Sequence, residues 1–163
     1  DSVATVHAAL DAGVMLIDTA LAYTRPGVES YAEAVVARVL RGLAKKARCM
    51  VLVPCCQAEV AACLRETKAL ALSRTPLAEL WRHPLHTREI GSQLTNVLRC
   101  LYLEANGYSV TVTELVGWEH SMKNELILAR YTGQRKASAA TRLRELLAQF
   151  GLDTLGDTRF RLA

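Results

Sequence analysis

Cys49-Met50-Val51-Leu52-Val53-Pro54-Cys55-Cys56-Gln57 is the stretch that decides the fold class. Its first five residues are apolar, and Pro54, which has no N–H to give to a ladder, closes the run. That reads as a short buried strand ending at a loop. Helical patterns flank it on both sides. Upstream, Ala32, Val35, Val36, Val39 and Leu40 recur on one face of a predicted helix over residues 29–47, and downstream residues 57–71 are also predicted helical. A strand held between helices implies an α/β layer fold.

Working towards the N-terminus, Arg25-Pro26-Gly27 marks a loop over residues 19–27. Val14-Met15-Leu16-Ile17 forms a second short buried strand, parallel to the first in this fold class. A helix over residues 2–12 precedes it, carrying Val3, Val6, Ala9 and Leu10 at helical spacing, with Gly13 as its stop. The chain opens at Asp1 without an initiator Met, as a trimmed segment would.

Towards the C-terminus, Thr75-Pro76 and His83-Pro84 punctuate a polar connection. Ile90, Leu94, Val97, Leu98 and Leu101 then draw one apolar stripe along the strongest helix, which Asn106-Gly107 ends. Val110 and Val112 alternate with Thr111 and Thr113, predicting a strand between two different environments. Residues 126–131 form another strand, pairing antiparallel with it around a loop over residues 117–124. A last helix covers residues 138–150, with Ser138 as N-cap and Gly151 just past its end, and residues 159–162 add a short strand.

A chain of 163 residues is long enough for one domain with a real core, and 51% apolar content argues against disorder. The net charge of +4 is mild and its basic residues are dispersed. Lys45, Lys46 and Arg48 are the densest group, with Arg135, Lys136, Arg142 and Arg144 further on. Solvated helix faces account for these more readily than RNA contact does. The run Val14–Ile17 is far too short to cross a membrane. Five cysteines, an odd number, point to a reducing compartment and hence to the cytoplasm. Cys55, Cys56, His83 and His86 lie near one another in sequence, but adjacent cysteines do not readily share one tetrahedral zinc ion, so no metal is expected.

Two resemblances follow from particular residues, meeting at a sequence junction near residues 40–46. Ala8-Ala9-Leu10-Asp11-Ala12-Gly13-Val14-Met15-Leu16-Ile17-Asp18-Thr19-Ala20, with Tyr23 beyond it, resembles an early α/β segment of an aldo-keto reductase over residues 1–42. By that resemblance Asp18 and Tyr23 are a vestigial half of the family's catalytic set, whose Lys and His partners and NADPH site the chain does not carry. A Tyr with an ordinary pKa near about 10 is a poor acid without such a neighbour. NADPH binding and reductase activity are therefore not expected.

From residue 43 onward the chain resembles the C-terminal half of a bacterial class I S-adenosylmethionine-dependent methyltransferase, of a group distantly similar to enzymes that methylate RNA. The residues that carry this are Val53-Pro54-Cys55-Cys56-Gln57-Ala58-Glu59, His86-Thr87-Arg88-Glu89-Ile90-Gly91-Ser92-Gln93-Leu94 and Trp118-Glu119-His120-Ser121-Met122-Lys123-Asn124-Glu125. The resemblance implies a single α/β domain with a Rossmann-like partial methyltransferase sheet of about four strands, ordered 4-5-7-6, with flanking helices. In that order residues 14–17 stand fourth and form an exposed edge through which a homodimer can pair.

The chain contains no Gly-x-Gly-x-x-Gly turn, so the cofactor's main orienting contacts are missing and S-adenosylmethionine is expected to bind weakly or not at all. What remains is the substrate side. Cys55, Cys56 and Gln57 leave the carboxyl end of a strand, where open α/β sheets place ligands; packed thiols explain the two cysteines as well as a nucleophile pair does. Trp118, His120, Lys123 and Asn124 gather an aromatic face, cations and an amide in one loop, a set suited to a planar substrate, though an anchored loop explains it equally. His86, Arg88 and Gln93 open the main helix toward the same edge. Three functions stay open: a methyltransferase-like domain with impaired or absent catalysis, a non-catalytic chimeric or structural α/β domain, and a reductase fragment.

Overall fold

A computed structural model describes residues 2–11, 48–54, 58–67, 73–117, 119 and 124–162. The chain divides into two compact units, Asp1–Val51 and Leu52–Ala163. In the first unit, helix α1 spans Ser2–Asp11, close to the predicted helix. The predicted strand at 14–17, the helix at 29–47 and the junction at 40–46 lie outside the described residues. Strand β1 covers Cys49–Leu52.

The remaining elements follow in chain order. Helix α2 is Ala58–Thr67, a 3-10 helix covers Pro76–Trp81, α3 is Pro84–Ala105, β2 is Tyr108–Glu114, β3 is Glu125–Tyr131, α4 is Ala137–Gln149 and α5 is Asp153–Thr158. The fold is thus mixed α/β. Its sheet is small, with three antiparallel strands in the order β1-β3-β2 where about four were expected. The antiparallel β2–β3 pair is as predicted, in a register that sets Tyr108 opposite Tyr131 and Glu114 opposite Glu125.

The 22-residue helix α3 organises the second unit. Pro84 occupies its first turn, where a missing N–H breaks no helical bond, so the helix begins a turn and a half before the apolar stripe does. Leu94, Leu98, Leu101 and Ala105 on α3 form one buried cluster with Val60 and Leu64 of α2, with Ala139, Leu143 and Leu147 of α4, and with Leu152, Leu155 and Phe160. Small residues set the closest approach: a Cβ added to Gly91 would stand 2.7 Å from the Ala61 Cβ and 2.8 Å from its Cα. On the other flank, Glu104 of α3 accepts from Lys136 Nζ at 2.6 Å and faces the Arg142 guanidinium at 3.6 Å, tying α4 alongside.

Asn106-Gly107 ends α3 as predicted, and the reason is visible. Gly107 adopts φ +92°, a conformation open to glycine, while its carbonyl accepts from the Thr132 and Gly133 amides at 2.9 and 3.1 Å. The turn therefore joins the end of α3 to the end of β3 as it starts β2.

Three expectations are corrected, and one connection is filled in. Cys49–Leu52 is not a fully buried strand: Cys49 and Val51 are exposed, so it reads as a half-exposed strand whose outer residues are apolar. The Pro-punctuated connection before α3 holds a 3-10 turn that the sequence reading did not specify: the Thr75 side chain accepts from the Leu77 amide and Pro76 presets the backbone. The N-cap of α4 is Lys136, without a side-chain cap, and Ser138 already lies inside the helix. Residues 159–162 form no strand; Leu155 accepts from the Arg159 and Phe160 amides, and this tight turn folds Phe160 into the core against Tyr102, with ring centroids 6.0 Å apart.

Candidate functional site

The second unit carries an open pocket of about 600 Å³ at one end of the β2–β3 pair. It lies where the chain leaves β2 and enters β3, with Pro54, two residues past the end of β1, on the same wall. One wall is a stripe of α3: Glu89, Gln93, Asn96 and Cys100 recur at spacings of four, three and four, which brings them onto one face. The facing wall is Val112, Thr113 and Glu114 from β2, with Asn124 and Glu125 at the start of β3.

The polar groups are held in place. Asn96, only 4% exposed, donates from Nδ2 to Glu125 Oε2 at 2.8 Å and accepts from the Arg99 guanidinium at 3.1 Å. Asn124 donates to the Val116 carbonyl at 2.7 Å, and its own carbonyl accepts from the Leu115 amide, fixing the chain as it enters β3. Glu89 is paired with Arg88 at 3.2 Å. The described lining therefore offers carboxylates from Glu89, Glu114 and Glu125 and carboxamides from Gln93, Asn96 and Asn124. Such a set can accept and donate hydrogen bonds to a polar, planar ligand.

Cys100 stands in this wall, but not as a nucleophile. Burial pushes its thiol up to about 11, helped by the charges of Glu125 and Glu104 and opposed by Arg99. The thiolate is the reactive form, so Cys100 stays inert at neutral pH. Peptide mapping of iodoacetamide labelling at pH 8 should show Cys100 reacting on the order of 100-fold more slowly than an ordinary free cysteine, because a pKa higher by about two units lowers the thiolate fraction that much. Labelling of Cys100 as fast as that of the exposed Cys49 would contradict this reading.

Of the residues named from sequence, the pocket brings together Gln93 and Asn124, which are 31 positions apart. His86 and Arg88 lie outside its lining: His86 is exposed on the first turn of α3, edge-on to His83 with centroids 5.3 Å apart, and Arg88 is occupied by Glu89. Cys55, Cys56, Gln57, Trp118, His120 and Lys123 fall outside the described residues, as do Asp18 and Tyr23. Sequence reasoning missed Asn96, Cys100, Glu114 and Glu125. The signal for the first two was present, since a polar stripe through Glu89, Gln93, Asn96 and Cys100 runs beside the apolar one.

The described residues do not fit the cofactor side of a methyltransferase. None of the described glycines lines the pocket, and Gly91 and Gly107 serve helix packing and a turn instead. No group here permits the close backbone approach that the methionine end of the cofactor needs. Among the described residues no helix is long and apolar enough to cross a membrane. Comparison with known proteins finds no matching family model, curated protein or solved structure.

Proposed function

We propose that this chain is a methyltransferase-like domain that keeps the acceptor side of the fold, with catalysis impaired or lost. The observation that carries the reading is the pocket itself: two residues assigned to the substrate side from sequence alone, Gln93 and Asn124, line one pocket beyond the end of β2. Ligands of open α/β sheets collect at the carboxyl ends of strands, and Pro54 and Glu114 mark such ends here.

The acceptor this lining suits is small, polar and planar, held by carboxamides and carboxylates. A methyl-transfer assay with labelled S-adenosylmethionine and a panel of nucleobases, oligonucleotides and peptides tests the catalytic half of the proposal. The expected result is no transfer above a protein-free control. Turnover on any acceptor at an ordinary enzymatic rate, on the order of 1 per second or faster, would overturn the claim that catalysis is impaired, and would require a cofactor site that the described residues do not supply.

A further inference from the structure

Strand β2 ends the sheet among the described residues, and the hydrogen bonds around it reveal which of its groups face outward. The Leu115 amide donates to the Asn124 carbonyl, and the Thr132 amide to the Gly107 carbonyl. Both pairs continue the register that sets Tyr108 opposite Tyr131. In an antiparallel pair, bonded and non-bonded residues alternate. Ser109, Thr111 and Thr113 therefore turn their amides and carbonyls toward β3, and those of Val110, Val112 and Glu114 point away from it. These outward groups form a regular row on a strand seven residues long, in which Val112 is 52% exposed.

Proteins usually guard such an edge with Lys, Pro, a bulge or a very short strand. Tyr108-Ser109-Val110-Thr111-Val112-Thr113-Glu114 has none of these and is rich in β-branched residues. It is also self-complementary. Turned antiparallel about Thr111, a second copy of the strand sets Val110 opposite Val112, Ser109 opposite Thr113, and Tyr108 opposite Glu114. The outward-facing residues then meet as the bonded pairs. Glu114 is the strand's one charge, and in this register it meets a tyrosine, never another carboxylate.

We infer that the open edge of β2 pairs with β2 of a second copy of this chain, antiparallel and centred on Thr111. This places association on a different strand from residues 14–17, the edge expected from sequence. It also has a consequence for the pocket. Val112 and Glu114 line it, so the second copy's Tyr108 would stand beside Glu114 at the rim and extend the pocket wall.

The register makes the test specific. Thr111 faces its own counterpart across the two-fold axis as a non-bonded pair, at a separation a disulfide can span. Thr113 faces Ser109, and its own counterpart lies four positions along, roughly 13 Å away. Both threonines are exposed on the same face, so Thr111→Cys and Thr113→Cys perturb the fold alike. Under mild oxidation, T111C should give a reducible covalent dimer and T113C should not. Sedimentation of the unmodified chain from about 1 to 100 µM should show monomer passing to dimer, and Val112→Lys, which places a cation opposite Val110, should weaken that association at least tenfold. A chain that stays monomeric throughout would overturn the inference. So would cross-linking of T113C as fast as T111C, or association unchanged by V112K.

Discussion

Replacing Gly91 with alanine should destabilise the second unit by about 1–3 kcal/mol. The sign is the point. In an exposed helix the same change stabilises by about 0.5–1 kcal/mol, because alanine leaves the unfolded chain fewer states to lose. Here the new Cβ would lie 2.7 Å from the Ala61 Cβ, 2.8 Å from its Cα and 2.9 Å from its amide nitrogen. Two of those atoms are backbone, so no side chain can swing aside, and α2 must move off α3 as a body. Ala61 is 1% exposed, with Val60 and Leu64 beside it in the core, so that movement opens well-packed surface. Gly91→Val, with two further methyl groups, should be worse. Urea unfolding followed by circular dichroism measures both, and a midpoint for Gly91→Ala equal to or above the parent's would show that the two helices are not in this contact.

The largest single loss is expected at Leu98, which is fully buried where α2, α3 and α4 meet. Leu98→Ala removes three carbons, a methine and its two methyl groups, from a core built by three helices, and the cavity can close only if one of them shifts. Such changes cost about 2.7–5 kcal/mol, a large part of the roughly 5–15 kcal/mol that holds a domain of this kind together. Leu85→Ala on the same helix is the natural comparison. Leu85 is 57% exposed, so its truncation should fall within about 0.5 kcal/mol of the parent. If the two variants unfold at similar denaturant concentrations, α3 does not present the face described here to the core.

What the sequence disclosed tracks how local each cause is. The α3 stripe, the turn at Asn106-Gly107 and the β2–β3 pair depend on periodicity and on one glycine, and all three were legible. The 3-10 turn at Pro76–Trp81 was also written locally, in Thr75-Pro76, but six residues are too few to show a helical period. The folding back of Phe160 was not legible, because it depends on a core supplied by Tyr102 and its neighbours from distant sequence. The same division holds in the pocket. Gln93 and Asn124 were found through a resemblance, whereas Glu114 and Glu125 only acquire meaning once the strand register sets them opposite each other. Asn96 is similar: as one more polar residue on a helix it attracts no notice, and its bonds to Glu125 and Arg99 come from the fold.

The methyltransferase-like reading meets its most direct test in a thermal-shift comparison of S-adenosylmethionine, S-adenosylhomocysteine and NADPH, each at up to about 10 mM. A ligand present at its own dissociation constant stabilises by about 0.4 kcal/mol, worth about 1 °C in a chain of this size. A chain that keeps only the acceptor side should show a rise no larger than that with either methionine nucleotide, and none with NADPH. A rise of several degrees with a methionine nucleotide would contradict the loss of the cofactor side, and a rise with NADPH alone would favour the reductase reading instead.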